Sequence, residues 1–306
     1  MEIVFLGTGP AWGLPEFMCE CQICKHMRRI GEIRSRSGLL LKTKKNILID
    51  CSPDIKTQLS QNNITSIDYI LISHEHNDHY MGLDDLFPYK RTKPRGEFKP
   101  IELLCSEKTY AEISNRFKYL ETFEVIKPTI IKENQWYEIT DIAFMPFKTY
   151  HGDSAKGSVG FLIRFLENDI TLVYTSDMMD IPQFTPELKR PHYLVIQSFW
   201  LNEPVENRPK HLSFQRAIDF IRIFDPKKAC FLVHMGDGDS IPGDPQNNIL
   251  KKYPPKDPLR HPQKQIPYPI PTCHEEWQLI VDTIRWDYGL DWPIYVAKDN
   301  YKLTLP

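Results

Sequence analysis

Apolar and polar positions fall along the chain in short blocks. Glu2 to Leu6 is an apolar run of strand length that stops at Gly7-Thr8-Gly9-Pro10, a turn-forming cluster. Leu39–Thr43 and Asn46–Asp50 read as a hairpin split by Lys44-Lys45, and Asp54–Gln61 follows as a helix with Ser52 or Asp54 at its start. Ile67–Ser73 is almost continuously apolar, the pattern of a strand covered on both faces. Further strands are predicted at Ile101–Cys105, Ile142–Tyr150, Ser158–Phe165, Ile170–Ser176, Tyr193–Ser198 and Ala229–Val233. Helices fit Thr109–Tyr119, Ser213–Phe224 and Glu275–Tyr288, with a closing strand at Ile294–Leu305. Two sets of strands with helices among them predict an α/β protein with layered sheets.

Between the last two strand blocks, Pro242, Pro245, Pro254, Pro255, Pro258, Pro262, Pro267, Pro269 and Pro271 crowd a stretch that no helix or central strand tolerates. Residues 236–272 are therefore expected to be a surface excursion from a single domain spanning 1–306. The composition, 41% hydrophobic and 25% charged over 306 residues, is that of a folded chain. A formal charge of −2 argues against a nucleic-acid partner. No apolar run reaches the ~20 residues of a membrane span, and the first residues lack the charged and apolar regions of an export signal. Three of seven cysteines stand together as Cys19, Cys21 and Cys24, too close for mutual disulfides and suited to a metal in a reducing cytoplasm.

The chemistry concentrates in Ser73-His74-Glu75-His76-Asn77-Asp78-His79, directly after the buried strand. Alternation along an extended backbone puts His74 and His76 on one side, able to grip one ion, while Asp78 and His79 can turn toward a second. His151, Asp177 and His234 each follow a β-run in the same way. Asp177 is the natural bridge, since a carboxylate offers one oxygen to each of two cations.

The H-x-H-x-D-H element with later His, Asp and His after strands resembles the metallo-β-lactamase fold across most of the chain. Leu6-Gly7-Thr8-Gly9, Cys19-x-Cys21-x-x-Cys24, Ile49-Asp50, His74 to Gly82 and His211-Leu212-Ser213 look more narrowly like the PhnP group of phosphoribosyl cyclic phosphate phosphodiesterases. The resemblance implies a four-layer αββα sandwich. It implies His74, His76, His151 and Asp177 on one ion, and Asp78, His79, Asp177 and His234 on the other. His211 would stand where the family has a catalytic histidine, making His211 and Asp78 the catalytic candidates. The resemblance further implies a homodimer and, from Asp50, a partner that orients a ligand histidine.

Two divalent ions would supply a hydroxide at neutral pH and neutralise a phosphodiester's charge, with His211 as general acid. An all-nitrogen-and-oxygen donor set suits Zn²⁺ or Mn²⁺, with Fe²⁺ also compatible. The cysteines read as a separate structural zinc site short of one ligand. The family places a histidine three positions after its last active-site histidine, where this chain has Asp237. His26, Cys273 and His274 are the alternatives. The function expected is hydrolysis of a cyclic or small phosphodiester. A tRNA 3′-processing nuclease of the same fold competes, but only 33 residues lie between Asp177 and His211, too few for a substrate-gripping arm there. A PqqB-like metal-binding protein without turnover is the other alternative. Lys90, Arg91, Lys93 and Arg95 follow the metal motif, either to meet a phosphate or as a solvated charge run.

Overall fold

In the computed structural model, which describes residues 1–306, the chain builds two seven-stranded sheets in sequence. The first half runs β1 (Glu2–Gly7), α1 (Gln22–Ile30), β2 (Gly38–Lys42), β3 (Asn46–Ile49), α2 (Ile55–Gln61), β4 (Tyr69–Leu71), α3 (Asn77–Tyr80), α4 (Leu86–Arg91), β5 (Ile101–Cys105), α5 (Glu107–Thr122) and β6 (Ile126–Ile130). The second half runs β7 (Tyr137–Ile139), β8 (Ile142–Lys148), β9 (Val159–Phe165), β10 (Ile170–Tyr174), β11 (Tyr193–Gln197), α6 (Phe214–Phe224), β12 (Ala229–Val233), α7 (His274–Asp287), β13 (Ile294–Val296) and β14 (Tyr301–Thr304). The sheet orders are β14-β1-β2-β3-β4-β5-β6 and β13-β12-β11-β10-β9-β8-β7.

Strand alternation sorts the apolar residues into three interfaces, and three interfaces make four layers. Val4, Leu6, Leu40, Leu48 and Ile70 point outward from the first sheet onto Ile55, Tyr80, Leu83, Ile113 and Phe117 of its helices. Their neighbours Ile3, Phe5, Leu39, Leu41, Ile47 and Ile49 point inward and meet Phe144, Phe161, Ile163, Phe165 and Phe231 of the second sheet. Leu162, Val173, Leu194, Ile196 and Leu232 face the other way, onto Phe214, Ile218 and Ile221 of α6 and Trp277, Val281 and Ile284 of α7. The fold is thus the αββα sandwich that the resemblance implied. No helix is long and apolar enough to cross a membrane.

Several boundaries differ from the sequence reading. The closing strand is two strands, β13 on the second sheet and β14 on the first, with a crossing between them that turns at Asn300. That residue takes a φ of +65°, a left-handed conformation that glycine adopts freely and asparagine tolerates. The strand expected over Ile67–Ser73 keeps ladder pairing only over β4, because Ser73 N–H turns aside to an Asp50 carboxylate oxygen at 2.8 Å. The metal motif itself ends in α3, which carries Asp78 and His79, and beyond it the chain continues into a 3₁₀ turn and α4. Gly82 in that turn donates to the Cys51 carbonyl, and a Cβ there would sit 2.0 Å from the Ser52 oxygen.

Residues 236–272 fold onto the surface without long elements. They are held by isolated pairings of Pro204 with Pro255 and Asp239 with Tyr253, and by a short 3₁₀ turn at Pro245–Asn248. Lys90 Nζ bonds the carbonyls of Phe123 and Glu124, and Lys93 Nζ reaches the Thr65 carbonyl at 3.5 Å. Those carbonyls precede β6 and β4, so these two lysines lie at the end of the sheet opposite His74.

Candidate metal centre

Parallel pairing of β3 with β4, of β10 with β11 and of β11 with β12 puts several strand C-termini along one edge of the sandwich. Loops leaving such an edge are where open α/β sheets collect ligands. Asp50 follows β3, His74 follows β4, His151 follows β8, Asp177 follows β10 and His234 follows β12. At Asp50, Ser176 and His234 the backbone takes a φ of +63°, +56° and +55°. Such left-handed non-glycine residues cost about 1–3 kcal/mol each. Here they turn the chain sharply out of the ladder at the site.

The side chains gather into two adjoining groups. His74, His76 and His151 form one; Asp78, His79, Asp177 and His234 form the other, with the donor atoms of each group within 4.8 Å of one another. Asp177 spans both. Its Oδ2 lies 3.4 Å from His79 Nε2 and 3.8 Å from His151 Nε2, while Oδ1 lies 3.0 Å from His234 Nδ1. The seven residues assigned from the sequence are therefore brought to one place.

The protein fixes these rings from behind. His79 Nδ1 is 2.8 Å from Asp50 Oδ2, and the same carboxylate accepts from the Ser73 hydroxyl at 2.9 Å. Ser73 Oγ in turn lies 2.9 Å from His74 Nδ1 and accepts from Ser176 Oγ at 2.7 Å. His151 Nδ1 donates to the Lys210 carbonyl at 2.8 Å, and His234 Nδ1 sits 3.1 Å from Ser37 Oγ. For His74, His79 and His151, holding Nδ1 this way presents the other ring nitrogen to the centre, whereas His234 Nδ1 lies between Ser37 and Asp177.

Three ring nitrogens, the Nε2 atoms of His74, His79 and His234, are buried and have no hydrogen-bond partner in the protein. Asp78 and Asp177 oxygens stand 3.1 and 3.4 Å from His79 Nε2, but neither is in line for a hydrogen bond. Buried unpaired polar atoms are costly and rare, and converging lone pairs beside two carboxylates are what a cation satisfies. The charge balance agrees. Burial pushes His79 toward its neutral form, yet Asp78, Asp50 and Asp177 outweigh burial and hold its pKa well above the ordinary value. Burial likewise raises the Asp177 carboxyl, and His234 and His79 overcome it and hold it well below the carboxylate range. His74, with His79 and His151 as neighbours, is driven well below its ordinary value by burial first. The pocket stabilises positive charge at its centre and keeps His74 neutral.

His211 stands at the rim, its ring 4.8 Å from His151 and stacked on Phe199 at 4.5 Å. Behind it is a residue that the sequence reading missed. Gln197, fully buried at the end of β11, accepts at Oε1 from Met178 N–H at 2.9 Å and Leu212 N–H at 3.3 Å. Its Nε2 therefore faces His211 Nδ1, 2.6 Å away, as a donor. The ring proton is then left on Nε2. Burial pushes the His211 pKa well below its ordinary value, which agrees with a neutral ring. A neutral amide in an apolar strand has no motif, and only its position at the strand's C-terminal end could have marked it.

The cysteine cluster is separate. Cys19, Cys21, Cys24 and Asp237 are all buried with their donor atoms within 4.8 Å of one another, and all seven cysteines are free thiols. Asp237 Oδ2 lies 3.0 Å from Cys24 Sγ and 3.6 Å from Cys21 Sγ. Asp237 joins the thiols and the alternatives do not. His26 and Cys273 gather instead with Glu276, and His274 Nδ1 meets Arg34 Nη2 at 3.1 Å.

Residues 45–235 match the family model described as a beta-lactamase superfamily domain. An octanoyltransferase of Porphyromonas gingivalis is 29% identical over 239 residues, which are 77% of this chain; the chain spans 46% of that protein's length. Among solved structures, a diphosphatase of the PhnP family superposes with a TM-score of 0.71 at 22% identity, covering 100% of this chain and 98% of that one. Zn²⁺-bound PqqB from Methylobacterium extorquens also gives 0.71, at 17% identity and 100% coverage of both chains.

Proposed function

The chain belongs to the beta-lactamase superfamily, and on that premise we propose that it is a metal-dependent hydrolase of cyclic or small phosphodiesters. His74, His76 and His151 would hold one divalent ion, zinc or manganese, and Asp78, His79 and His234 a second, with Asp177 shared between them. Bound there, such ions generate a nucleophile from water at neutral pH and neutralise the phosphoryl oxygens. Cys19, Cys21, Cys24 and Asp237 would hold an additional structural zinc.

One observation carries the phosphodiesterase reading: His211, clamped between Gln197 and Phe199 beside His151 and Asp177. Departure of an alkoxide needs a proton-bearing group, and His211 carries its proton on Nε2, the nitrogen that Gln197 leaves free. In this arrangement it donates a hydrogen bond to the departing oxygen. Complete transfer starts from an imidazolium, and the Gln197 amide would have to turn over to accept from Nδ1. The residues between Asp177 and His211 are taken up by a 3₁₀ turn, β11 and connecting loops, which favours a small substrate over a folded nucleic acid.

The test is hydrolysis of bis(p-nitrophenyl) phosphate and a 2′,3′-cyclic nucleotide by the protein stripped of chelatable ions and reloaded with Mn²⁺ or Zn²⁺, beside a precursor tRNA and an octanoyl thioester. Metal-dependent cleavage of the phosphodiesters is expected, with His211→Ala slowing it about 10²- to 10⁴-fold at unchanged metal content. No phosphodiester cleavage by fully loaded protein, or equal turnover by His211→Ala, would sink the reading.

A further inference from the structure

The proline-rich segment closes over the cysteine cluster with two consecutive lysines, Lys251 and Lys252. Lys251 Nζ lies 2.5 Å from the Asp237 Oδ2 that faces the thiols, 3.9 Å from Cys24 Sγ, and pairs with Glu16. Lys252, only 4% exposed, donates to the Asp237 carbonyl and, at 3.0 Å, to the Asp239 carbonyl. Arg28 adds a contact to the Cys19 carbonyl.

Three thiolates around a divalent zinc leave one surplus negative charge, and a carboxylate as the fourth ligand makes it two, whereas a neutral ligand adds none. Uncompensated charge in a buried site is expensive. We propose that Lys251 is the charge partner that lets Asp237 complete a zinc site with Cys19, Cys21 and Cys24, so that the ion and the proline-rich segment hold each other in place. This rests on the structural zinc of the functional reading above.

Glu16, half-buried, absorbs part of the lysine's charge, but the ammonium sits closest to the cluster on the Asp237 side.

The experiment uses full-length wild type, Lys251→Met, Asp237→His and the double variant. Each is freed of chelatable ions, and the zinc then released by a thiol-specific mercurial is quantified and its affinity measured by competition. Wild type should release about one zinc per chain. Lys251→Met should bind it about 10- to 100-fold more weakly, the usual effect of losing a partner behind a ligand, and melt at a lower temperature. The double variant should recover wild-type affinity, because histidine brings no charge to cancel. Equal affinity in wild type and Lys251→Met would overturn the charge partnership and leave the zinc site standing. Wild type with no mercurial-released zinc would remove the site and the proposal together. A double variant as weak as Lys251→Met would assign the lysine to packing and overturn the proposal as well.

Discussion

The imidazole–carboxylate centre and the thiol cluster are built by opposite means. At the first, most of the donors follow a strand whose ladder fixes where the chain leaves the sheet, and each ring is steadied by a serine, a carboxylate or a backbone carbonyl, the half-exposed His76 by Ser154 Oγ at 3.0 Å. At the second, three thiols from a loop and the start of α1 meet one carboxylate from a loop more than 200 residues away. What steadies that carboxylate is a lysine from a segment with almost no regular structure. Rigid pairing supplies the positions in one case, and charge compensation across loops supplies them in the other. The two are nevertheless joined: Lys252 bonds the Asp237 and Asp239 carbonyls, and the Asp239 carboxylate accepts from Leu201 and Asn202 N–H, next to the Phe199 on which His211 stacks.

If the centres are independent in donors, each should be removable alone. The largest effect is expected from Asp177→Ala, which takes away the group touching both halves of the imidazole centre. Phosphodiester turnover should fall by about two to three orders of magnitude and chelator-sensitive metal should disappear, with mercurial-released zinc unchanged. Metal analysis of the purified variant checks this, and simultaneous loss of the cysteine-bound zinc would contradict the separation. A smaller effect follows from Asp50→Asn, which leaves His79 its place but removes the carboxylate behind it. Metal affinity at the imidazole centre should fall about 10- to 100-fold, measured by titration with a competing chelator.

The subtlest test addresses the joint between the centres. Burial raises the Asp239 carboxyl to about 7, against the pull of its two backbone donors. An acid whose folded pKa lies above its unfolded value penalises folding once ionised. The wild type should therefore lose stability relative to Asp239→Asn as pH rises from about 4, the unfolded carboxylate value, to about 7, with a level difference above. Thermal melts of both proteins across that range measure it. A pH-independent difference would show that Lys252 keeps Asp239 ionised throughout.

The same contrast explains what could be read from the sequence. His74, His76, Asp78, His79, His151, Asp177 and His234 were legible because each accompanies an apolar run, and a run that reads as a buried strand tells where its last residue emerges. The layered sheets were legible for the same reason. Strand β6 was hidden by Pro128, tolerated because β6 is the outer strand of its sheet, and β7 by having only three residues. Helix α1 was masked by the cysteines at its start. Gln197 and Lys251 escaped because their roles depend on which neighbour the fold delivers, and a neutral amide or a loop lysine has no periodicity to betray it.

The pairing of β14 with β1, from Glu2 opposite Thr304 to Phe5 opposite Tyr301, bears on how the protein comes to be made. β1 leaves the ribosome about 300 residues ahead of its outer partner. At about 5–20 residues per second, roughly 15–60 s separate them. For that interval one side of an apolar strand offers open hydrogen-bonding groups, the kind of edge on which nascent chains associate wrongly. Its completion depends on contacts spanning almost the whole sequence, which makes for slow folding. A nascent chain of this protein is thus a natural client for ribosome-associated chaperones until residues 301–304 arrive to cover that edge.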